Sequence, residues 1–269
     1  QMLFVDFAFL IYAIYIPFFI SLYVLELITF IKYWKTAFNS SFFKIFISLA
    51  VVNIAACLSG SFIFRINLYP LVNQFYASLT SKSGWLTGAY SSAYYLNCVS
   101  EFLGVLLAFN RLSALSYPLH HDRLWTKAWL VGVAGCILIA IAPTWFLFDD
   151  PASFWQRRSS DNFTFYVPVA SSTTPKTSIW FNMVIVTLTC NGLSTLFYCA
   201  CLVRLCTFSN NRHRVAERNL FLVGFFSMIC SVPYMALMLI CSLFRYLTPA
   251  PLLLITNQSI RRKIIRLFS

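Results

Sequence analysis

A chain of 269 residues with 59% hydrophobic and 18% aromatic side chains but only 10% charged ones falls far short of the roughly one quarter of charged residues in a water-soluble domain. That balance excludes a soluble enzyme or binding domain. The formal charge of +12 does not mark a nucleic-acid surface either, because the basic residues form short clusters between apolar runs instead of lining one amphipathic face.

A helix needs about 20 apolar residues to cross roughly 30 Å of hydrocarbon. Six runs meet that length, approximately Phe7 to Ile31, Phe42 to Phe64, Tyr90 to Leu115, Trp129 to Phe148, Ile179 to Leu205 and Leu220 to Phe244. The first is too long for a signal-peptide core and lacks a basic leader and a small-residue cleavage site, so it reads as a span, with Gln1 pointing to a trimmed start. A seventh run, Tyr246 to Thr256, reaches only about 18 Å if wholly helical. Eight cysteines, Cys57, Cys98, Cys136, Cys190, Cys199, Cys201, Cys230 and Cys241, lie inside these runs and read as small hydrophobes.

Charge decides the seventh crossing. Basic residues favour cytoplasmic connections near span ends. The first, third and fifth connections and the tail hold 14 of the 20 Lys and Arg residues, among them Lys32, Lys35, Lys44, Arg123, Lys127 and Arg204. That places the N terminus outside, and an even number of spans would strand Arg261-Arg262-Lys263 on the outside too. The expected architecture is therefore an all-α membrane protein, one domain over residues 1–269, built as a seven-helix bundle with a short seventh helix. The second extracellular connection, roughly Asp149 to Ser178, carries an N-glycosylation sequon at Asn162, whereas the sequons at Asn39 and Asn257 fall on the cytoplasmic side.

The third run ends in Asn110-Arg111-Leu112-Ser113-Ala114-Leu115-Ser116-Tyr117-Pro118-Leu119. Arg111 admits two readings: an anchor reaching to the interface, or a switch held by polar groups in one state and presented to a partner in another. Its spacing to Ala114 and Pro118-Leu119 resembles the rhodopsin-like receptor pattern and favours the switch, although Asn110 stands where that pattern has an acid and Leu112 where it has an aromatic. In the second run, Leu49-Ala50-Val51-Val52-Asn53 resembles Leu-Ala-x-x-Asp with an amide for the acid, and an interhelical hydrogen bond is the expected role of Asn53. In the sixth, Cys230-Ser231-Val232-Pro233 resembles Cys-Trp-x-Pro, where the proline kinks the helix. Asn53, Asn110, Arg111, Pro118 and Pro233 are the candidate switch residues.

Glu101 lies ten residues before Arg111, about 15 Å deeper in the membrane. Intramembrane acids face the bundle interior by default, and Glu101 reads equally as a ligand contact or as a hydrogen-bonded structural acid. Position alone nominates Tyr94, Asn97, Cys98, Glu101 and Asn182 as ligand-facing. The tail, with Ile260, Ile264, Ile265, Leu267 and Phe268 among four basic residues, fits an amphipathic helix on anionic lipid.

Beyond the general receptor pattern, Phe38-Asn39-Ser40-Ser41-Phe42-Phe43-Lys44, then Asn110-Arg111 through Pro118-Leu119 with His121 and Trp125, and finally Asn257 to Lys263, are similar to the nematode serpentine chemoreceptors of class gamma and their relatives, including class V. The resemblance implies a sensory receptor in the plasma membrane of sensory neurons that binds a small extracellular molecule and signals through a heterotrimeric G protein. Against the rhodopsin-like pattern, Leu86 replaces the cysteine that usually bonds the second extracellular loop, and Ala93 replaces the aspartate of amine receptors.

Three alternatives compete. A transporter predicts repeats, broken helices and several facing charges, against one deep acid here. An enzyme predicts a clustered nucleophile or metal site, whereas His120, His121 and His213 all fall in cytoplasmic connections, where solvated or headgroup positions are the expectation. Neither catalysis nor a metal or cofactor is expected. The serious rival is a truncated or nonsignalling receptor relative, because Phe244-Arg245-Tyr246 joins two apolar runs with almost no loop.

Overall fold

In the computed structural model, residues 40–64, 66, 72–78, 84–149, 151–158, 164–170 and 179–207 are described, together with scattered positions between 17 and 32, all of them helical. The sixth and seventh runs with Pro233, the tail and the sequons at Asn39, Asn162 and Asn257 lie outside the described residues.

The second apolar run forms helix α1 (Ser41–Phe64). After Lys44 it contains no charge and no proline, so nothing in it opposes a helix whose backbone groups must all be satisfied internally in lipid. A short helix α2 (Asn73–Ser78) follows. The third run becomes α3 (Gly84–Ser116), about 50 Å long at 1.5 Å per residue. It starts six residues before the expected Tyr90, because Gly84, Thr87 and Gly88 dilute the apolar signal without breaking the helix.

A tight turn through Tyr117, Pro118, Leu119 and His120 connects α3 to α4 (His121–Ile139), with the His121 N–H bonded to Tyr117 O at 2.9 Å. The helix therefore begins eight residues before the expected Trp129, and the connection expected to reach Lys127 is mostly helical. Asp122 sits in the first turn, where a negative charge complements the helix dipole.

The expected span to Phe148 is α-helical only as far as Ile139. Pro143 lacks an N–H and disfavours α geometry at the residue before it. From Ile141 the chain tightens into i→i−3 bonds, Ile141 N to Leu138 O, Ala142 N to Ile139 O, Thr144 N to Ile141 O and Leu147 N to Thr144 O, ending in a 3₁₀ turn at Trp145–Leu147. A 3₁₀ segment rises about 2.0 Å per residue, so the stretch from Trp129 to Phe148 still covers about 30 Å.

The second departure from an all-α expectation is an antiparallel hairpin, β1 (Ala152–Arg158) paired with β2 (Thr164–Ala170) from Ala152↔Ala170 to Arg158↔Thr164. In β1 the first three residues, Ala152, Ser153 and Phe154, are all buried, whereas Trp155 and Gln156 are exposed. Both strands are edges, where Pro168 is tolerated. Helix α5 (Ile179–Thr207) completes the described elements.

Among the described residues, three helices are long and apolar enough to cross a membrane: Ser41–Phe64, Gly84–Ser116 and Phe181–Arg204. The chain is a multi-pass, mostly helical membrane protein. Helix α3 is central, packed chiefly on α1 and α5 and less extensively on α4. At Gly132, α4 comes so near α3 that an added Cβ would lie 2.9 Å from Leu106 Cδ1, whereas nothing lies within 4 Å of a Cβ at Gly135.

Apolar layers follow α3 along its length. At the hairpin end, Ile63, Tyr76, Leu86, Tyr90, Tyr94, Leu147, Phe154 and Tyr166 form one cluster. Cys98, Val99, Leu103, Cys136 and Ala140 form a middle layer. Phe42, Ile45, Leu107 and Trp125 close the Arg111 end.

Candidate functional site

The Arg111 end of α3 gathers the buried polar residues Ser41, Asn110, Arg111 and Ser113. Asn110 is fully buried and Arg111 is 4% exposed. The Arg111 guanidinium carbon lies 3.3 Å from the centroid of the Phe42 ring on α1, and a desolvated cation over an aromatic face is worth about 2 kcal/mol. Where the rhodopsin-like pattern has an acid beside the arginine, Asn110 instead donates from Nδ2 to Ser41 Oγ at 2.9 Å. Asn110 Oδ1 is buried with no hydrogen-bond partner among the described residues.

Around these two residues runs a network that joins three helices. Ser113, one turn after Asn110, donates to Asn110 O at 2.8 Å and accepts from the Trp125 indole N–H at 2.8 Å. His121 lies 3.2 Å from Ser113 Oγ through Nδ1 and 3.4 Å from Ser41 Oγ through Nε2. His120 and Pro118 are exposed in the turn, whereas His121 is half-buried. That corrects the expectation of a solvated or headgroup histidine: the early start of α4 puts His121 on the same helix face as Trp125, four residues on, and that face meets α3. Lys44 Nζ sits 5.5 Å from the centre of the Trp129 ring nearby.

At mid-depth two consecutive residues of α3 bond in different directions. Ser100 donates to Asn53 Oδ1 on α1, as the sequence suggested for an interhelical amide. Glu101 accepts from Asn191 Nδ2 on α5 at 3.2 Å and is also hydrogen-bonded by Thr187. Asn191 and Thr187 on α5 thus supply hydrogen bonds of the kind the structural reading of Glu101 calls for.

At the hairpin end, Phe154 is fully buried and its ring stands 4.8 Å from that of Tyr76, edge to face. Tyr76 donates to Phe62 O at 2.6 Å, and burial pushes its phenol up to about 12. Ala152 N–H donates to Thr87 Oγ1 at 2.9 Å, and Ser91 Oγ donates to Leu147 O at 2.7 Å. The hairpin is thereby fixed to α3 by the Ala152–Thr87 bond and to α2 through aromatic contact, and the 3₁₀ turn before it is fixed to α3 by the Ser91–Leu147 bond.

The ligand-facing candidates are not all brought together. Tyr94 is buried, its ring 5.2 Å from both Phe64 and Tyr90. Cys98, one turn below, is fully buried with its thiol 3.5 Å from Met183 Sδ on α5. Glu101 continues that stripe, and Asn182 is half-buried beside Met183. Asn97 departs from the group: it is exposed, and its amide donates to Ala93 O of its own helix at 2.7 Å.

Sequence reasoning missed Ser41, Phe42, Ser113, His121 and Trp125 as one unit. Their separation along the chain hides the grouping. The only available signal is that Ser113, His121 and Trp125 lie within two turns of a proline-containing connection.

Residues 9–264 match the family described as Srg family chemoreceptor. The chain is also 28% identical over 236 residues to serpentine receptor class V-1 of Caenorhabditis elegans, across 83% of this chain and 70% of that protein.

Proposed function

Because this chain belongs to the Srg family of chemoreceptors, we propose that it is a seven-span chemosensory receptor of sensory neurons. In this reading the N terminus is outside, a small extracellular molecule binds towards the hairpin end, and a heterotrimeric G protein couples at the Arg111 end. A receptor family, and not an enzyme family, is the class to which the chain is assigned.

The observation that carries the coupling reading is Arg111, buried against Phe42 at the mouth of α3 and bordered by the Asn110–Ser41 bond. The Arg111 guanidinium rests on a ring that belongs to another helix, so a relative movement of α1 and α3 changes how it is held. Ligand-binding residues are proposed along the stripe Tyr94, Cys98 and Glu101 with Asn182, and the tail is proposed to lie on anionic lipid. Asn53 and Pro118 complete the described part of the switch, and Pro233 is its proposed hinge.

A chemical screen of the full chain in cells with a G-protein readout supplies the ligand, and Arg111→Ala then tests the coupling. The expected result is at least about a tenfold loss of ligand-evoked signal at unchanged surface expression. Normal signalling by Arg111→Ala would remove Arg111 from the switch. The nonsignalling alternative rests on the abrupt Phe244-Arg245-Tyr246 junction, and it predicts no response to any compound from a chain that reaches the surface.

A further inference from the structure

We infer that His121 is a positioning residue: with Ser41 and Ser113 it forms a latch that clamps the first turns of α1 and α4 onto the end of α3 and so retains Asn110 and Arg111 in their buried positions. Both ring nitrogens are engaged, Nδ1 with Ser113 on α3 at 3.2 Å and Nε2 with Ser41 on α1 at 3.4 Å, while the ring itself belongs to α4. Ser41 on α1 likewise bonds two other helices, α3 through Asn110 and α4 through His121.

The donors and acceptors around the ring assign its tautomer. Ser113 commits its single hydroxyl proton to Asn110 O and one lone pair to the Trp125 indole, leaving one lone pair for His121. Nδ1 must therefore carry the proton and donate to Ser113. In the neutral ring Nε2 is then an acceptor, and Ser41, which already accepts from Asn110 Nδ2, has its hydroxyl proton available to donate there. The bonds consequently run in one sense, from Asn110 to Ser41 to His121 to Ser113 and back to Asn110 O. A closed circuit of this kind is lost as a unit: taking away one member leaves its neighbours with a buried donor or acceptor to satisfy.

The circuit explains a second placement. Ser41 is the first residue of α1 and Phe42 the second, so the residue that His121 holds adjoins the ring that carries the Arg111 guanidinium. Releasing Ser41 frees the turn that presents Phe42. The latch thus acts on Arg111 through Phe42. Its consequence for output rests on the signalling reading above, but its existence does not.

The test is hydrogen–deuterium exchange of the full chain in detergent, read at the first turn of α4, where the His121 and Leu124 N–H groups bond to Tyr117 O and His120 O. Ser41→Ala lies on α1, 80 residues away in sequence from His121, yet should speed exchange in that α4 turn several-fold. His121→Leu should speed it about tenfold. His121→Asn places an amide nitrogen where Nδ1 stands but does not reach Ser41, so it keeps the Ser113 bond alone and should match Ser41→Ala, well short of His121→Leu. Unchanged α4 exchange in Ser41→Ala, or His121→Asn indistinguishable from His121→Leu, would overturn the latch. Ligand-free G-protein output is measured on the same variants. A several-fold rise in Ser41→Ala supports both claims, whereas faster exchange with no change in output upholds the latch and counts against the coupling reading.

Discussion

Glu101 illustrates how a single buried acid is accommodated. Asn191 and Thr187 present hydrogen-bond donors to its carboxyl group from α5, and interhelical bonds of this kind contribute about 0.6–2 kcal/mol in membranes. Glu101→Gln keeps an acceptor oxygen and should leave the thermal midpoint in detergent nearly unchanged, whereas Glu101→Leu strands both α5 donors and should cost about 1–2 kcal/mol. Equal losses for the two variants would show that charge, not hydrogen bonding, stabilises the pair. Tyr76 offers a pH-dependent counterpart outside the membrane. Its folded pKa of about 12 lies above the unfolded value of 10.0, so the protonated phenol is favoured by folding. That contribution is fully present below about pH 10 and is lost as pH rises towards about 12. In alkaline unfolding titrations Tyr76→Phe should be less stable than the parent at neutral pH, and the gap should narrow through that window. The sequence suggested both roles of Glu101 because depth is legible from spacing, but its partner Asn191 was not legible, because what stands opposite Glu101 depends on how two helices are rotated.

Element existence was legible where one principle governed it. The second, third and fifth runs became α1, α3 and α5 because the length of a sparsely charged apolar stretch decides a span. Two features escaped that rule. The hairpin is invisible to a search for long apolar windows, since Ala152–Arg158 contains Gln156, Arg157 and Arg158, and its stability comes from Phe154 and Tyr166 packing on α2 and α3. The start of α4 was missed because His121, Asp122 and Arg123 look like loop residues until the face that His121 shares with Trp125 is seen. Within α4 the two glycines make opposite predictions. Replacing a helical glycine by alanine gains up to about 1 kcal/mol of helix propensity, and Gly135→Ala, with open space around it, should show that gain. Gly132→Ala must displace Leu106, a cost that offsets it, so its midpoint should stay at or below the parent. In a Leu106→Ala background, destabilised in its own right, adding Gly132→Ala should show the gain over Leu106→Ala alone. A Gly132→Ala midpoint as high as that of Gly135→Ala would mean the helices are further apart than described.

For the whole molecule, parity of crossings is the open quantity, and charge placement argues for an odd number. An epitope on the C-terminal tail should be stained only after permeabilisation, and Asn162 should carry glycan while Asn39 and Asn257 do not. A tail stained on intact cells would reduce the count to six spans. The adjacent bonds of Ser100 and Glu101 bear on how such a bundle can move. Helix α3 is tied at one depth to α1 on one side and to α5 on another, so rotating it about its axis, or sliding it lengthwise, would break both ties at once. Tilting about that depth strains them least. The tied level then behaves as a fulcrum: with Arg111 about 15 Å below it, a tilt of about 10° would carry the Arg111 end sideways by about 3 Å and swing the hairpin end the opposite way.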